Sequence, residues 1–342
     1  MAETINRRIV LAERPKGKPR PENFRLEEAP VPEPGACEML CRTIYLSLDP
    51  YMRGRMSDAP SYARPVGLGE VMTGGTVSQV VRSNLDGFAP GDIVVGAGGW
   101  QDYALFRQGE ARKVDPGQAP TSTALGVLGM PGQTAYVGLR EIGKPKPGET
   151  LVVAAASGPV GSAVGQIAKI QGCRVIGVAG SQAKCDIVTG DLGFAACLDH
   201  HAADFAERLR AACPNGIDVY WENVGGRVFE TVLPLLNDFA RVPVCGLIAW
   251  YNATELPPGP DRTPMLLRQT LVRRLTIRGF IVSDFEPGDF LTDVGQWVRE
   301  GRLRYREDVR KGLENAPAAF IGLLEGENFG KLLVRVAPDP TR

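Results

Sequence analysis

The stretch Ala156–Gly161 reads Ala-Ser-Gly-Pro-Val-Gly and matches the phosphate-binding pattern G-x-G-x-x-G with alanine in the first position. An apolar run precedes it and a run of small, helix-like residues follows it, which is the context this pattern needs. Gly158 would let the backbone approach a pyrophosphate, and Gly161 would let the helix pack closely on the strand. With Pro159 and Val160 opening that helix, the stretch predicts a dinucleotide site; a tight turn without a ligand is the alternative.

The end of the next strand-like run indicates which dinucleotide is bound. A ribose 2′-hydroxyl is usually held by Asp or Glu about 20 residues beyond the glycines, but no acidic residue occurs between Arg174 and Lys184. Ser181 and Lys184 instead supply a hydroxyl and a cation, which suit a 2′-phosphate. The sequence therefore predicts NADP(H) rather than NAD(H), with an exposed helix lysine as the other interpretation of Lys184.

Metal ligands are scarce in this sequence. The two histidines, His200 and His201, are adjacent. Cys37 and Cys41 are closely spaced but have no second cysteine pair, which a structural zinc site would need. No metal site is predicted, and zinc-assisted alcohol oxidation is disfavoured.

Tyrosines and water remain as proton donors. Hydride addition to a polarised C=C bond needs little acid help, because one hydrogen bond can stabilise the developing enolate oxygen. Tyr251 follows the fifth predicted parallel strand and is the first candidate donor. Tyr51, in SLDPYMRGRM, is the second, and we expect it to come from another domain.

Composition and charge argue against several classes of protein. Thirty-nine Lys and Arg balance thirty-nine Asp and Glu, so the bulk charge attracts neither nucleic acid nor an anionic membrane. No apolar run reaches the about 18 residues that span a bilayer, and residues 1–20 contain no signal-peptide core. Scattered cysteines in an odd number are typical of reduced thiols. We expect a cytoplasmic protein that acts on a small molecule.

The elements that must position these residues follow two patterns. Up to about residue 120, short β-type runs alternate with Pro and Gly, which predicts an irregular antiparallel β domain. From about residue 125, five apolar strand-like runs alternate with helix-like runs, which predicts βαβ crossovers and a doubly wound parallel sheet. The fifth of these strands is predicted over ARVPVCGLIA, and KLLVRV is predicted to form a closing strand. Helices are predicted near residues 159–171, 182–192, 203–212, 226–236, 264–273, 288–300 and 315–325.

Several motifs occur together and in order: SLDPYMRGRM, GEVMTGG, GMPGQTAYVGL, AASGPVGSAVGQIAK, ENVGG, GFIV and NFGKLLVRV. Over about residues 5–336 the chain resembles the zinc-independent branch of the medium-chain dehydrogenase/reductase superfamily. Within that branch it is most similar to the leukotriene B4 12-hydroxydehydrogenase/prostaglandin reductase group, which includes plant double-bond reductases and bacterial curcumin reductases. The resemblance implies a GroES-like β domain of residues 1–125 with 313–342 and a Rossmann domain of residues 126–312. It also implies NADPH-dependent reduction of the C=C bond in α,β-unsaturated ketones and aldehydes by a homodimer.

The same resemblance implies roles for individual residues. The segment from Gly158 to Gly161 would hold the pyrophosphate and Lys184 the 2′-phosphate, while His200 stands where many relatives carry a tyrosine beside the adenosine ribose phosphate. Thr134 would lie near the nicotinamide ribose, and Asn223 would line the cofactor together with the segment from Cys245 and Gly246 to Tyr251. Phe280, Ile281 and Val282 would meet the nicotinamide amide. Asn328 would close the site from the C-terminal segment.

The chain departs from the family pattern in two motifs, and the change before Tyr251 is expected to narrow the pocket. Ala249 and Trp250 precede Tyr251 where relatives commonly have Ser and a polar residue, and Glu222 stands where Asp is usual. The loop of residues 57–69, with Tyr62, is predicted to face the substrate or to be mobile. An NADPH quinone oxidoreductase on the same fold and a non-catalytic NADPH-binding protein are the alternative functions.

Overall fold

The structure is a computed structural model that describes residues 5–342. The chain divides into two compact units, one formed by the part up to Leu125 with Glu307–Arg342 and the other by Gly126–Arg306. The second unit therefore ends at Arg306 rather than at residue 312, where the sequence analysis placed its end. The reason is that Glu307–Lys311 forms a strand and pairs in parallel with Lys331–Arg335 in the first unit.

The strands of the described residues are numbered in chain order. They are β1 Ile5–Leu11, β2 Phe24–Pro30, β3 Glu38–Ser47, β4 Thr76–Ser83, β5 Ile93–Gly96, β6 Tyr103–Arg107, β7 Ala111–Lys113, β8 Thr150–Ala154, β9 Arg174–Ala179, β10 Ala196–Asp199, β11 Ile217–Trp221, β12 Leu236–Val244, β13 Thr276–Gly279, β14 Glu307–Lys311 and β15 Lys331–Arg335.

The α-helices are numbered in the same way. They are α1 Met52–Arg55, α2 Met130–Gly138, α3 Pro159–Ile170, α4 Gln182–Gly190, α5 Phe205–Ala212, α6 Gly226–Val232, α7 Thr263–Arg273, α8 Phe290–Arg299 and α9 Ala316–Leu324. Helix α6 ends earlier than the predicted 226–236 because Pro234 lies in a following 3-10 turn, Leu233–Leu235.

The second unit is built on a parallel sheet with the strand order β10-β9-β8-β11-β12-β13. Every neighbouring pair in it is parallel, and the order reverses between β8 and β11. Ligands of open α/β sheets bind beyond the carboxyl ends of the strands at such a reversal. The predicted α/β class, a β-rich part plus a doubly wound parallel sheet, is confirmed.

Both faces of this sheet are buried, as strand β8 illustrates. Leu151 and Val153 belong to one apolar core, and Val152 and Ala154 to the other. Helices α3 and α8 contribute to the first core and helices α5 and α6 to the second. The period of two along a strand thus divides its side chains between two helix layers, which fixes the register of the strand and the position of its carboxyl end.

The first unit contains a two-stranded sheet, β1-β2, and a sheet in the order β14-β15-β3-β4-β5-β7, in which β6 also pairs with β3. The C-terminal strand β15 is antiparallel to β3. Trp100 is fully buried and stacks on Phe24 with ring centroids 5.6 Å apart, while Phe320 of α9 meets the indole edge-on at 5.7 Å. The C-terminal segment is therefore part of the core of this unit.

Candidate functional site

The glycine turn connects β8 to α3. Gly158 is the N-cap of α3 and Pro159 its first residue, so the N–H groups of Val160 and Gly161 have no acceptor within the helix. Ala155 adopts a φ of 52°, and its carbonyl accepts the backbone N–H of Gly158 at 3.0 Å. A β-carbon on Gly161 would overlap the Ala155 carbonyl oxygen. This narrow turn, which presents helix amides, fits a pyrophosphate.

Ser181 and Lys184 begin helix α4 directly beyond β9. The Ser181 hydroxyl oxygen accepts the backbone N–H of Lys184 at 3.3 Å and caps the helix. Burial lowers the pKa of the Lys184 ammonium. A hydroxyl and a partly desolvated cation therefore occupy one helix start, as a 2′-phosphate site requires.

His200 lies one residue beyond β10, beside the end of β9. Its Nε2 atom is 3.6 Å from the position that a β-carbon on Gly180 would take. Burial lowers the pKa of His200, and the nearby charges of His201, Arg227 and Lys184 lower it further, against the opposing effect of Asp199. The structure thus brings His200 near Lys184, although sixteen positions separate them in the sequence.

Arg227 is a neighbour of this group that the sequence analysis missed. It lies in the first turn of α6, and its Nη2 atom donates to the carbonyl of Ala202 at 3.1 Å. Its approach to His200 depends on the strand order β10-β9-β8-β11, which residue spacing alone does not give. Its signal in the sequence is a single basic residue after the two glycines of ENVGG.

Asn223 lies just beyond β11 and bridges two strand ends. Its Nδ2 donates to the carbonyl of Ala154 at 2.8 Å, and its Oδ1 accepts the indole N–H of Trp221 at 3.1 Å. Glu222 beside it is 2% exposed and accepts backbone N–H groups of Val224 and Gly225 at 2.6 and 2.8 Å. Burial raises the pKa of Glu222, and these hydrogen bonds oppose the rise. Asn223 therefore lies where the strand order of the sheet reverses, and its two hydrogen bonds connect the ends of β8 and β11 there.

The segment from Cys245 to Tyr251 does not continue β12 as the sequence analysis predicted. Strand β12 ends at Val244, and the chain then runs along residues 222–224 through backbone hydrogen bonds. These join the N–H groups of Cys245 and Gly246 to the Glu222 carbonyl at 2.9 and 3.2 Å, Ile248 to Asn223 at 3.2 Å, and Ala249 to Val224 at 3.0 Å. The segment leaves the sheet because its amides pair with this loop rather than with a neighbouring strand.

Tyr251 is half-buried and follows a 3-10 turn, Ile248–Trp250. Its hydroxyl oxygen lies 3.1 Å from the position that a β-carbon on Gly246 would take. The Trp250 indole covers Gly225, which has a φ of 79°. Tyr251, Gly246 and Asn223 therefore belong to one compact group at the carboxyl ends of β11 and β12.

Thr134 in α2 and Phe280 directly after β13 belong to the same unit as Tyr251. The Thr134 hydroxyl donates to the carbonyl of Met130, one turn earlier in α2, at 2.7 Å. Phe280 is buried and meets Trp221 edge-on at 5.7 Å. Ile281 and Val282 continue beyond β13 and are half-buried. Phe280 thus acts as packing behind the strand ends, whereas the two following residues are partly accessible.

The first unit holds the second candidate tyrosine. Tyr51 caps the short helix α1, and the guanidinium of Arg55 lies 5.7 Å from the Tyr51 ring centroid and 5.3 Å from that of Tyr62. Burial, followed by the charge of Asp49, raises the pKa of Tyr51. Tyr62 is 60% exposed. A phenol with a raised pKa remains protonated at neutral pH and can donate a hydrogen bond.

A buried ion pair supports the backbone before Tyr51. Lys331 Nζ lies 2.6 Å from Asp49 Oδ1 and donates to the Leu48 carbonyl at 2.9 Å. Asn328, nearby in the sequence, is buried, and its Nδ2 donates to the carbonyl of Gly330 at 2.8 Å. Asn328 therefore shapes the turn that leads into β15.

The described part of the chain offers neither a metal site nor a membrane-spanning helix. Within residues 5–342, no group of three or more His, Cys, Asp or Glu side chains is arranged to hold a metal ion. Over the same residues, every helix is too short or too polar to cross a lipid bilayer.

Comparison with known proteins places this chain in a family. Residues 7–114 match a family model described as the N-terminal domain of oxidoreductase, and residues 159–299 match one described as zinc-binding dehydrogenase. The NADPH-dependent curcumin reductase of Escherichia coli is 60% identical over 98% of both chains. The NADP(+)-dependent 2-alkenal reductase of Nicotiana tabacum is 37% identical over 98% of this chain and 99% of its own. The crystal structure of CurA in complex with NADPH from Vibrio vulnificus has a TM-score of 0.94 and 57% identity, covering 97% of this chain and 100% of its own.

The chain belongs to the zinc-independent medium-chain dehydrogenase/reductases, in the curcumin reductase and prostaglandin reductase-like family. The resemblance that the sequence motifs indicated is thereby confirmed, and the protein is an oxidoreductase.

Proposed function

We propose that this chain is an NADPH-dependent reductase of the C=C bond in α,β-unsaturated ketones and aldehydes. The observation that carries the proposal is the position of Ser181, Lys184 and His200 at the carboxyl ends of β9 and β10, beside the glycine turn that follows β8. Full-length similarity to relatives named for NADPH and for 2-alkenals supports both the cofactor and the substrate class.

NADPH supplies the hydride for such a reduction when it is bound. The chain's own residues hold and select it. The first amides of α3 hydrogen-bond the diphosphate, and the small Gly158 and Gly161 keep that approach open. Lys184 and Ser181 contact the 2′-phosphate, which a carboxylate in this position would repel. Selection of NADPH over NADH therefore resides at the start of α4.

Tyr251 is proposed as the residue that stabilises the reacting oxygen. Its hydroxyl donates a hydrogen bond to the carbonyl oxygen of the substrate, where negative charge develops as the β-carbon is reduced. Two features support this role: its place beyond β12 and the backbone bonds that tie its segment to residues 222–224. Such bonds limit the movement of the phenol and so prepare it for the transition state.

Tyr51 is the second candidate for hydrogen bonding to the substrate. Arg55 lies against its ring, and Asp49, two residues before it, is fixed by Lys331. A phenol held in this way orients a carbonyl oxygen at little entropic cost. Tyr51 is therefore the alternative to Tyr251 as the hydrogen-bond donor to the substrate oxygen.

The deciding experiment measures regiochemistry. The purified protein is incubated with NADPH, deuterated at C4, and an α,β-unsaturated ketone, and the product is analysed by NMR. We expect a saturated ketone with deuterium at the β-carbon. An allylic alcohol would contradict the proposal, as would the absence of turnover with a panel of enones and alkenals. Faster turnover of a quinone than of any enone would favour quinone reduction.

We also propose that the protein forms a homodimer through the β13 edge of the parallel sheet. All four residues of β13 are exposed, and none of the residues of α7 is buried. Leu267, Leu271 and Val272 of α7 are 61%, 78% and 51% exposed. An uncapped edge beside apolar side chains favours pairing, and a second copy related by a two-fold axis presents the same edge in antiparallel orientation.

A further inference from the structure

The two histidines of the chain form a stacked pair over the end of β9. Their ring centroids are 4.0 Å apart with an interplanar angle of 43°. Both rings approach Gly180: His200 Nε2 and His201 Cε1 each lie 3.6 Å from the position that a β-carbon on Gly180 would take. Gly180 immediately precedes Ser181, the cap of α4. The pair therefore adjoins the proposed 2′-phosphate site.

Hydrogen bonding determines which nitrogen of His201 carries a proton. Its Nδ1 lies 3.1 Å from the carbonyl oxygen of Gly180 and 3.5 Å from Oδ1 of Asp199. Both partners are acceptors, so Nδ1 carries the hydrogen in the neutral ring and Nε2 is left as an acceptor. A neutral His201 would thus present a lone pair to an anion, whereas the protonated ring would present a second N–H donor.

The surroundings disfavour the protonated form of His200 when no anion is bound. Burial lowers its pKa, and His201, Arg227 from α6 and Lys184 from α4 lower it further, while Asp199 at the end of β10 opposes them. Three of these four neighbours are basic groups, and together they form a niche for a group of negative charge. A phosphate monoester dianion placed there would reverse the balance and favour the protonated imidazole.

Building on the proposed NADP(H) site, we propose that the His200–His201 pair takes up a proton from solvent when the 2′-phosphate binds. The proton adds to an imidazole nitrogen, and no covalent bond of the cofactor is broken. Preference for NADPH over NADH is therefore proton-linked and strongest in mildly acidic solution. His201 joins Lys184 and His200 as a residue that selects the phosphorylated cofactor.

The sign of this linkage follows from the two states. The cofactor complex has the higher histidine pKa, so the additional affinity is present below that value and is lost as the pH rises through it. A rise of one unit on binding corresponds to about tenfold in affinity. The 2′-phosphate itself takes up a proton near pH 6, and this loss of negative charge weakens binding in more acidic solution. The pH dependence of NADPH binding is therefore compared between the wild type and histidine variants with the same ligand.

The first test is calorimetric titration of the protein with NADPH and with NADH between pH 6.0 and 8.5, in buffers of different ionisation enthalpy. Wild-type protein is expected to take up roughly half a proton with NADPH near neutral pH and almost none with NADH. His200→Gln and His201→Gln keep a neutral hydrogen-bonding side chain and are expected to reduce that uptake. Equal proton uptake in the wild type and both variants would overturn the proposal.

The second test needs no variant. The sequence contains two histidines, so the C2–H signals of an untagged protein report this pair alone in an NMR pH titration. We expect at least one histidine to titrate at higher pH with 2′,5′-ADP or NADP+ than without ligand, and unchanged midpoints would refute the linkage. If NADPH and NADP+ do not saturate the protein at any pH, the proposed function fails instead.

Discussion

The hydroxyl of Tyr251 can be removed without changing the shape of its ring. Tyr251→Phe is expected to lower kcat by about 10²-fold, because one hydrogen bond to the developing enolate oxygen is lost. NADPH affinity should stay within about twofold, since the backbone bonds of residues 245–249 remain. Steady-state kinetics with an enone, together with a fluorescence titration of NADPH, measure the two effects.

Tyr51→Phe provides the comparison for this prediction. If Tyr251 is the hydrogen-bond donor, Tyr51→Phe should leave kcat close to the wild-type value. If Tyr251→Phe keeps wild-type kcat while Tyr51→Phe loses it, the roles of the two tyrosines are exchanged. If neither variant affects kcat, water is the group that supplies the proton.

The proposed phosphate contacts of Lys184 and Arg227 differ in exposure, because Lys184 is half-buried. Lys184→Gln is expected to weaken NADPH binding by about 10- to 100-fold, because a charge-assisted hydrogen bond in a partly desolvated site is lost. Arg227 is exposed, and Arg227→Gln should weaken it only about two- to fivefold. Equilibrium titrations with NADPH at fixed ionic strength provide the values.

NADH serves as the control ligand for both substitutions. It lacks the 2′-phosphate, so its affinity should be nearly the same in the wild type, Lys184→Gln and Arg227→Gln. A parallel loss of NADH and NADPH binding would mean that these side chains support the fold of the site rather than recognise the phosphate.

The close packing of α3 on the turn after β8 requires that Gly161 has no side chain. Gly161→Ala is expected to lower the free energy of unfolding by about 1–3 kcal/mol, because the new β-carbon meets the Ala155 carbonyl and forces α3 away from the strand. NADPH affinity should fall as well, since the helix start moves with it. Thermal unfolding with and without NADPH measures both effects.

Gly190 offers a matched control in helix α4. It has a helical conformation, and a β-carbon there meets no atom within 4 Å. Gly190→Ala should therefore leave NADPH binding unchanged and stabilise the protein by about 0.5–1 kcal/mol. If Gly161→Ala were as harmless as Gly190→Ala, the close approach at the turn would not be essential.

The elements predicted correctly from the sequence are those whose pattern is local. Strands β8 to β11 are apolar runs buried on both faces, and α3 follows a recognisable turn, so periodicity was sufficient for them. Helix α2 was missed because Pro131 and Gly132 read as helix breakers. In the structure Pro131 stands in the first turn, where its missing N–H costs nothing, and a β-carbon on Gly132 would overlap the Val127 carbonyl.

Other elements were missed because their pairing is distant in the sequence. Strand β14 has the polar sequence EDVRK and forms because it pairs with β15. In that pairing Glu307 lies opposite Lys331, which is 24 residues further along the chain. Strand β2 is similarly polar and depends on β1. A short polar strand has little periodicity of its own, and the partner that stabilises it lies outside any local window.

For the whole molecule, the order of the strands determines which candidate residues meet. The rule that ligands lie beyond carboxyl ends placed Lys184 and Tyr251 near a site from sequence alone. Two other features follow only from the three-dimensional arrangement of β9, β10 and α6. These are the effect of the Arg227 charge on His200 and the contact between the rings of His200 and His201. The roles of residues on one βα turn could therefore be predicted from the sequence, whereas contacts between residues of different βα units could not.

The oligomeric state can be tested on the surface formed by α7 and β13. Wild-type protein is expected to have twice the 36.8 kDa mass of the chain in sedimentation equilibrium or light scattering. Leu271 is 78% exposed on α7, and Leu271→Glu should shift the mass towards one chain, because two carboxylates facing each other across a two-fold interface lose hydration and repel.

Leu291→Glu is the matched control, because Leu291 is 47% exposed on α8, which packs in the opposite core layer of the sheet from α7. It should leave the mass at two chains. A wild-type protein that remains at 36.8 kDa at micromolar concentration would contradict the homodimer. A dimer that withstands Leu271→Glu would place the interface elsewhere on the molecule. If Leu271→Glu gives monomers that still reduce enones, each chain carries a complete site, and dimerisation then stabilises the exposed edge of the sheet rather than the chemistry.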